Sequence, residues 1–79
     1  MKSVNVRVVF RGHMSRTAFR PGTTSASLED QKDFAILGTT RRYDTWAAAA
    51  TAALKLADRR GYVVTNRALV EKRLTSENP

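Results

Sequence analysis

The stretch TWAAAATAALKLADRRGY, residues 45–62, does most to limit what this chain can become. At about 100° per residue, Trp46, Ala49, Ala50, Ala53, Leu54, Leu56 and Ala57 share one side of a helix. Thr51, Lys55, Asp58 and Arg59 fall on the other side. Asp44 or Thr45 supplies an N-terminal cap, and Gly61 follows the last turn. Asp44 at the start and Arg59-Arg60 at the end both complement the helix dipole. Alanine on the buried side lets the helix axis come close to whatever it covers, while Trp46, Leu54 and Leu56 fill the edges of the contact. A sheet is the expected partner. A seam between two copies of the helix is the alternative, and the charged outer side argues against membrane insertion.

The sheet is sought in the rest of the chain. In SVNVRVVFR, residues 3–11, Val4, Val6, Val8 and Phe10 alternate with Asn5, Arg7, Val9 and Arg11, the period of a half-buried strand. Gly12-His13 suits a two-residue hairpin turn, which predicts a second strand over residues 14–20, stopped by Pro21-Gly22. Residues 21–32 read as a long polar loop. DFAILGTT, residues 33–40, reads as a third strand, apolar on both sides and so central in the sheet. Tyr62-Val63-Val64 offers a fourth strand, with Thr65 or Asn66 capping a short helix over residues 67–74. Alternatively the strand continues through Leu69. Residues 75–79 read as a frayed tail. The expected fold is a single α+β domain over residues 1–79. It has an antiparallel sheet of three to four strands, with one alanine-rich helix on one face and a C-terminal strand or short helix.

Composition narrows function. The chain has 79 residues, no cysteine and 14 Lys plus Arg against 7 Asp plus Glu, a formal charge of +7. Without cysteine there is no disulfide and no thiolate metal site. No apolar run approaches the roughly 20 residues needed to span a bilayer. The N-terminus alternates where a signal peptide would be continuously apolar. A soluble cytoplasmic protein is expected, a monomer with a dimer as the alternative. The single histidine, His13, falls in the expected turn. Glu29, Asp30 and Asp33 cluster before the third strand and read as a solvated acidic turn. Gly38-Thr39-Thr40-Arg41-Arg42 lacks the spacing of a phosphate-binding loop. No catalytic or cofactor signature stands out, so a non-enzymatic role without cofactor or metal is expected.

The expected hairpin pairs Val6 with Phe19 and Val8 with Thr17, and gathers Arg7, Arg11, Arg16 and Arg20 on the face away from the helix. Like charges so close oppose folding, and a guanidinium meets phosphate or carboxylate through paired hydrogen bonds. These four arginines are therefore the candidate site for an anionic partner, either nucleic acid or an acidic protein surface. Phe10 and Phe19 point inward, so base stacking is not supported. A helix-turn-helix over residues 45–74, with Arg67, Lys72 and Arg73 on the second helix, is a further alternative.

In overall plan, VNVRVVFRG and TWAAAATAALKLADRRGYVV resemble the small phage-encoded anti-CRISPR proteins that inhibit type I surveillance complexes. The likeness is one of size and architecture, with no shared motif. It implies an inhibitor in a bacterial host cell that occupies an acidic surface of a CRISPR effector complex and blocks target DNA. It assigns no residue a role.

Overall fold

In a computed structural model, which describes residues 2–10 and 24–77, the chain runs β1 (Ser3–Phe10), β2 (Thr24–Asp30), β3 (Ile36–Thr39), α1 (Trp46–Arg59), β4 (Val63–Val64) and α2 (Arg67–Glu77). The four-stranded sheet has the order β3-β2-β1-β4. β1 and β3 are antiparallel to β2, and β4 is parallel to β1. The expected α+β layering is present, but the sheet is mixed rather than antiparallel. The reason is α1. Parallel strands need a crossover, and α1 carries the chain from β3 across β2 and β1 to β4.

β1 alternates as expected, with Val4 and Val6 buried beneath the helix and Arg7 exposed. Its partner differs. Residues 14–20, the expected second strand, lie outside the described residues, as do Gly12 and His13. β1 pairs with Thr24–Asp30, so Val6 faces Leu28, Arg7 faces Ser27 and Val8 faces Ala26. Most of the segment read as a polar loop is thus a central strand. Thr24, Ser25, Ala26, Ser27 and Leu28 are all buried. Ala26, on the face beneath α1, is small because the helix lies close above it, while Ser25 and Ser27 face the other way.

β3 is shorter than expected and forms the sheet edge, not its centre, with Ile36 65% exposed. The turn before it is tied by two carboxylates. Asp30 Oδ1 accepts from the Lys32 amide at 2.8 Å, and Asp33 Oδ1 from the Ala35 amide at 3.0 Å. Phe34 in that turn has a φ of 61°, a left-handed conformation that bulky residues rarely adopt. At the edge, Arg60 Nη1 donates to the Leu37 carbonyl at 2.6 Å. Gly38 makes room for this, since a Cβ there would lie 2.7 Å from Arg60 Nη1.

α1 matches its expected extent. Ala49, Ala50, Ala53, Leu54 and Ala57 are buried, and Thr51, Lys55, Asp58 and Arg59 are exposed. Thr45, not Asp44, is the cap, its Oγ1 accepting from the Ala48 amide at 3.1 Å. Gly61, at φ 72°, closes the far end: its amide donates to Asp58 O and the Tyr62 amide to Ala57 O.

Both C-terminal elements exist. Val63 and Val64 pair with Ser3 and Val4, which separates α1 from α2 by a strand of the sheet. The helix-turn-helix alternative does not describe that connection. α2 reaches Glu77, so the tail expected from residue 75 is helical for three more residues. The Asn66 carbonyl accepts from Val70 N at 3.1 Å. Its side-chain amide turns to β1 instead, accepting from Val6 N at 3.0 Å and donating to Val6 O at 2.9 Å. Val70 is buried, and Trp46 and Leu74 pack against the edge of the core.

Candidate functional site

Of the four expected site arginines, Arg7 is described, and Arg11, Arg16 and Arg20 lie outside the described residues. Arg7 does project from the sheet face opposite α1. Its neighbours across the ladder on β2 are Ser25, Ser27 and Glu29. Arg7 Nη1 lies 3.6 Å from Glu29 Oε2, with the Arg7 side chain 67% exposed. An exposed pair of this kind contributes about 0–1 kcal/mol. Among the described residues this face therefore carries a neutralised pair over buried serines, not a cationic field.

A stronger concentration of positive charge lies elsewhere. Ala52, Lys55, Leu56 and Arg59 are spaced to lie along one strip of α1. The linker from β3 to α1 runs beside that strip and is held in place by β2. The Thr40 amide donates to Ala26 O at 2.8 Å, and Thr40 Oγ1 accepts from the Ala26 amide at 3.0 Å. Tyr43 and Thr24 exchange backbone hydrogen bonds of 2.7 and 3.0 Å. Between these attachments Arg41 lies with its guanidinium carbon 5.3 Å from the Tyr43 ring centre. The result is a groove of about 230 Å³ lined by Thr39, Thr40, Arg41 and Tyr43 on one side and the α1 strip on the other.

The electrostatics of this groove are one-sided. No carboxylate lines it. Arg41, Lys55 and Arg59 form no ion pair with any described residue, whereas Lys2, Arg7 and Arg67 are matched to Asp30, Glu29, and Asp58 and Glu71. The groove continues along α1 past Tyr43 towards Ala48 and Thr45. It could hold an extended anion by charge and by the Thr39 hydroxyl, since the Thr40 hydroxyl already donates to the Arg41 carbonyl at 2.8 Å. Arg41 already lies over Tyr43, so charge rather than ring stacking dominates.

The expected acidic cluster is dispersed into structural roles. Asp30 is held below the ordinary carboxylate range, first by the Lys32 amide and then by Lys2, whose Nζ is 3.1 Å away. Among the described residues no group of three or more His, Cys, Asp or Glu gathers where a metal ion could be held. None of the described helices is long and apolar enough to cross a membrane. Comparison with protein-family models, curated proteins and solved structures finds no match to this chain.

Proposed function

We propose that this chain is a non-enzymatic binding domain that holds the phosphate backbone of a nucleic acid in the groove of Arg41, Lys55 and Arg59. The supporting observation is the groove itself: three cations without ion pairs among the described residues, side by side, with no carboxylate lining. Unpaired cations repel one another and add nothing to folding, whereas a phosphate chain relieves that repulsion and releases counterions. The exposed Thr39 hydroxyl beside them is suited to a phosphate oxygen. With Arg41 over the Tyr43 ring, contact with the backbone is favoured over recognition of bases.

The test is fluorescence anisotropy with a labelled duplex of arbitrary sequence, over a range of salt concentrations. Binding should weaken steeply with salt, and the triple variant Arg41→Gln, Lys55→Gln, Arg59→Gln should lose most of it. Arg7→Gln and Arg67→Gln should change it little. The type I anti-CRISPR resemblance leads to another use of the same cations, against an acidic protein surface. Under that reading the protein co-purifies with a surveillance complex and leaves free duplex unbound at low salt.

A further inference from the structure

The cationic groove is one part of a longer one. It shares Tyr43, Ala52 and Lys55 with a second part of about 440 Å³, which Thr45, Ala47, Ala48 and Thr51 also line. Together the two parts follow the outer face of α1, whose 14 residues span about 21 Å. Charge is not spread along that length. Arg41, Lys55 and Arg59 line the part towards the C-terminal end of α1. In the part towards its N-terminal end, the only charged side chain among the described residues is Lys55, at the border. The groove thus has a cationic half and a neutral half.

A duplex matches neither this division nor this shape. Each of its strands carries a phosphate about every 3.4 Å, so a duplex lying along α1 brings about six phosphates per strand past it. The groove has cations to meet them over half that length. Proteins that read a duplex push a helix or a two-stranded ribbon into its major groove. α1 does not protrude in that way. Ala49, Ala50, Ala53 and Ala57 are fully buried against the sheet, and the linker stands along the flank of the helix as the second wall. The cations line a concavity between two walls. A single strand fits it, because its backbone turns freely and its bases are not held in pairs. Its phosphates can gather in the cationic half while an uncharged sugar and base occupy the neutral half.

We infer that the nucleic acid held by this groove is single-stranded, an inference that rests on the proposed function and names its substrate class. The strand lies along α1 with consecutive phosphates on Arg41, Lys55 and Arg59. The next nucleotide lies over Ala48 and Thr51. A duplex reaches the same cations from outside the groove and binds more weakly. Tyr43 lines both halves, but Arg41 lies over its ring, so charge holds the strand and no base is selected.

Two measurements test it. In the first, fluorescence anisotropy at one salt concentration compares a short labelled oligothymidylate with a dA·dT duplex of the same length. The single strand should bind at least about tenfold more tightly, a difference of about 1.4 kcal/mol. In the second, excess protein is added to a dA·dT duplex short enough to melt below the protein itself. A ligand stabilises the form that it prefers, so the parent protein should lower the melting temperature of the duplex. The triple variant Arg41→Gln, Lys55→Gln, Arg59→Gln should leave it unmoved. The inference is overturned if the duplex binds as tightly as the single strand, or if the parent protein raises the duplex melting temperature or leaves it unmoved. The proposed function survives that result provided the triple variant still loses the binding. If the parent binds neither nucleic acid, or the triple variant binds both as the parent does, the proposed function fails and this inference fails with it.

Discussion

The inner and outer faces of α1 use the same residue for different ends. On the inner face Ala49, Ala50, Ala53 and Ala57 are fully buried against the sheet, above Ala26 and Leu28. There alanine sets a distance, because a longer side chain has nowhere to go. On the outer face Ala47, Ala48 and Ala52 are half-buried and line a shallow groove that Lys55, Arg59 and Arg41 make positive. There alanine leaves room, and under the proposed function the neighbouring cations supply the interaction. Changes on the inner face should therefore be read in stability, and changes on the outer face in binding.

The largest effect is expected on the inner face. Ala53→Leu should overpack the contact with β2 and cost about 1–3 kcal/mol in chemical denaturation. Thr51→Ala, on the outer face, should change stability by less than about 0.5 kcal/mol. Equal and small effects of the two would mean that α1 is not docked by its alanines. Next is Asn66→Ala, which strips both partners from the Val6 backbone at a partly buried site and should cost about 1–3 kcal/mol. It lies outside both faces of α1, so binding in the cationic groove should survive in the folded fraction.

Gly38→Ala bears on the border between the faces. The added Cβ would push the Arg60 guanidinium off the Leu37 carbonyl, a loss of about 1 kcal/mol. A Gly38→Ala melting curve that matches the parent would show that the Arg60 bond contributes nothing.

The smallest effect is at Asp30, remote from the helix. Its carboxyl is lowered in the folded state by the Lys32 amide and by Lys2. Its contribution is therefore present above the ordinary carboxylate range and is lost as pH falls through the lowered folded value. Asp30→Asn should melt slightly earlier than the parent near neutral pH, and the difference should vanish in acid. A gap that persists in acid would point to missing hydrogen bonds alone.

Legibility in the sequence follows the same division. α1 was readable to within its caps because its pattern sets alanine and leucine against charge at a helical period. β1 was readable from its valines. β2 was not, since TSASLED carries none of the branched and aromatic residues by which strands are recognised, apart from the opening threonine. At Ala26 a larger residue is excluded by the close approach of α1, while Ser25 and Ser27 lie on the opposite face beside Arg7, so small residues on both faces conceal the strand. The alternation of Ala26 and Leu28 with Ser25 and Ser27 was the remaining signal. Without that strand, β1 is given the wrong partner segment. The cationic groove was hidden because its halves are separate in sequence. Arg41 belongs to a linker, and Lys55 and Arg59 are one turn apart on a helix. Paired basic residues on the outer helix face, preceded by Arg41-Arg42, were the available cue.

The central claim is that the outer face of α1, and not the sheet face of Arg7, engages a phosphate chain. The most direct measurement is the slope of log binding constant against log salt concentration for duplex DNA. Removing one cation that neutralises a phosphate should lower the magnitude of that slope by about 0.9, so Arg41→Gln, Lys55→Gln, Arg59→Gln should lower it by about 2.7. Arg7→Gln should leave it unchanged. A triple variant with the parent slope, or an Arg7→Gln slope reduced as much as the triple variant's, would contradict the account.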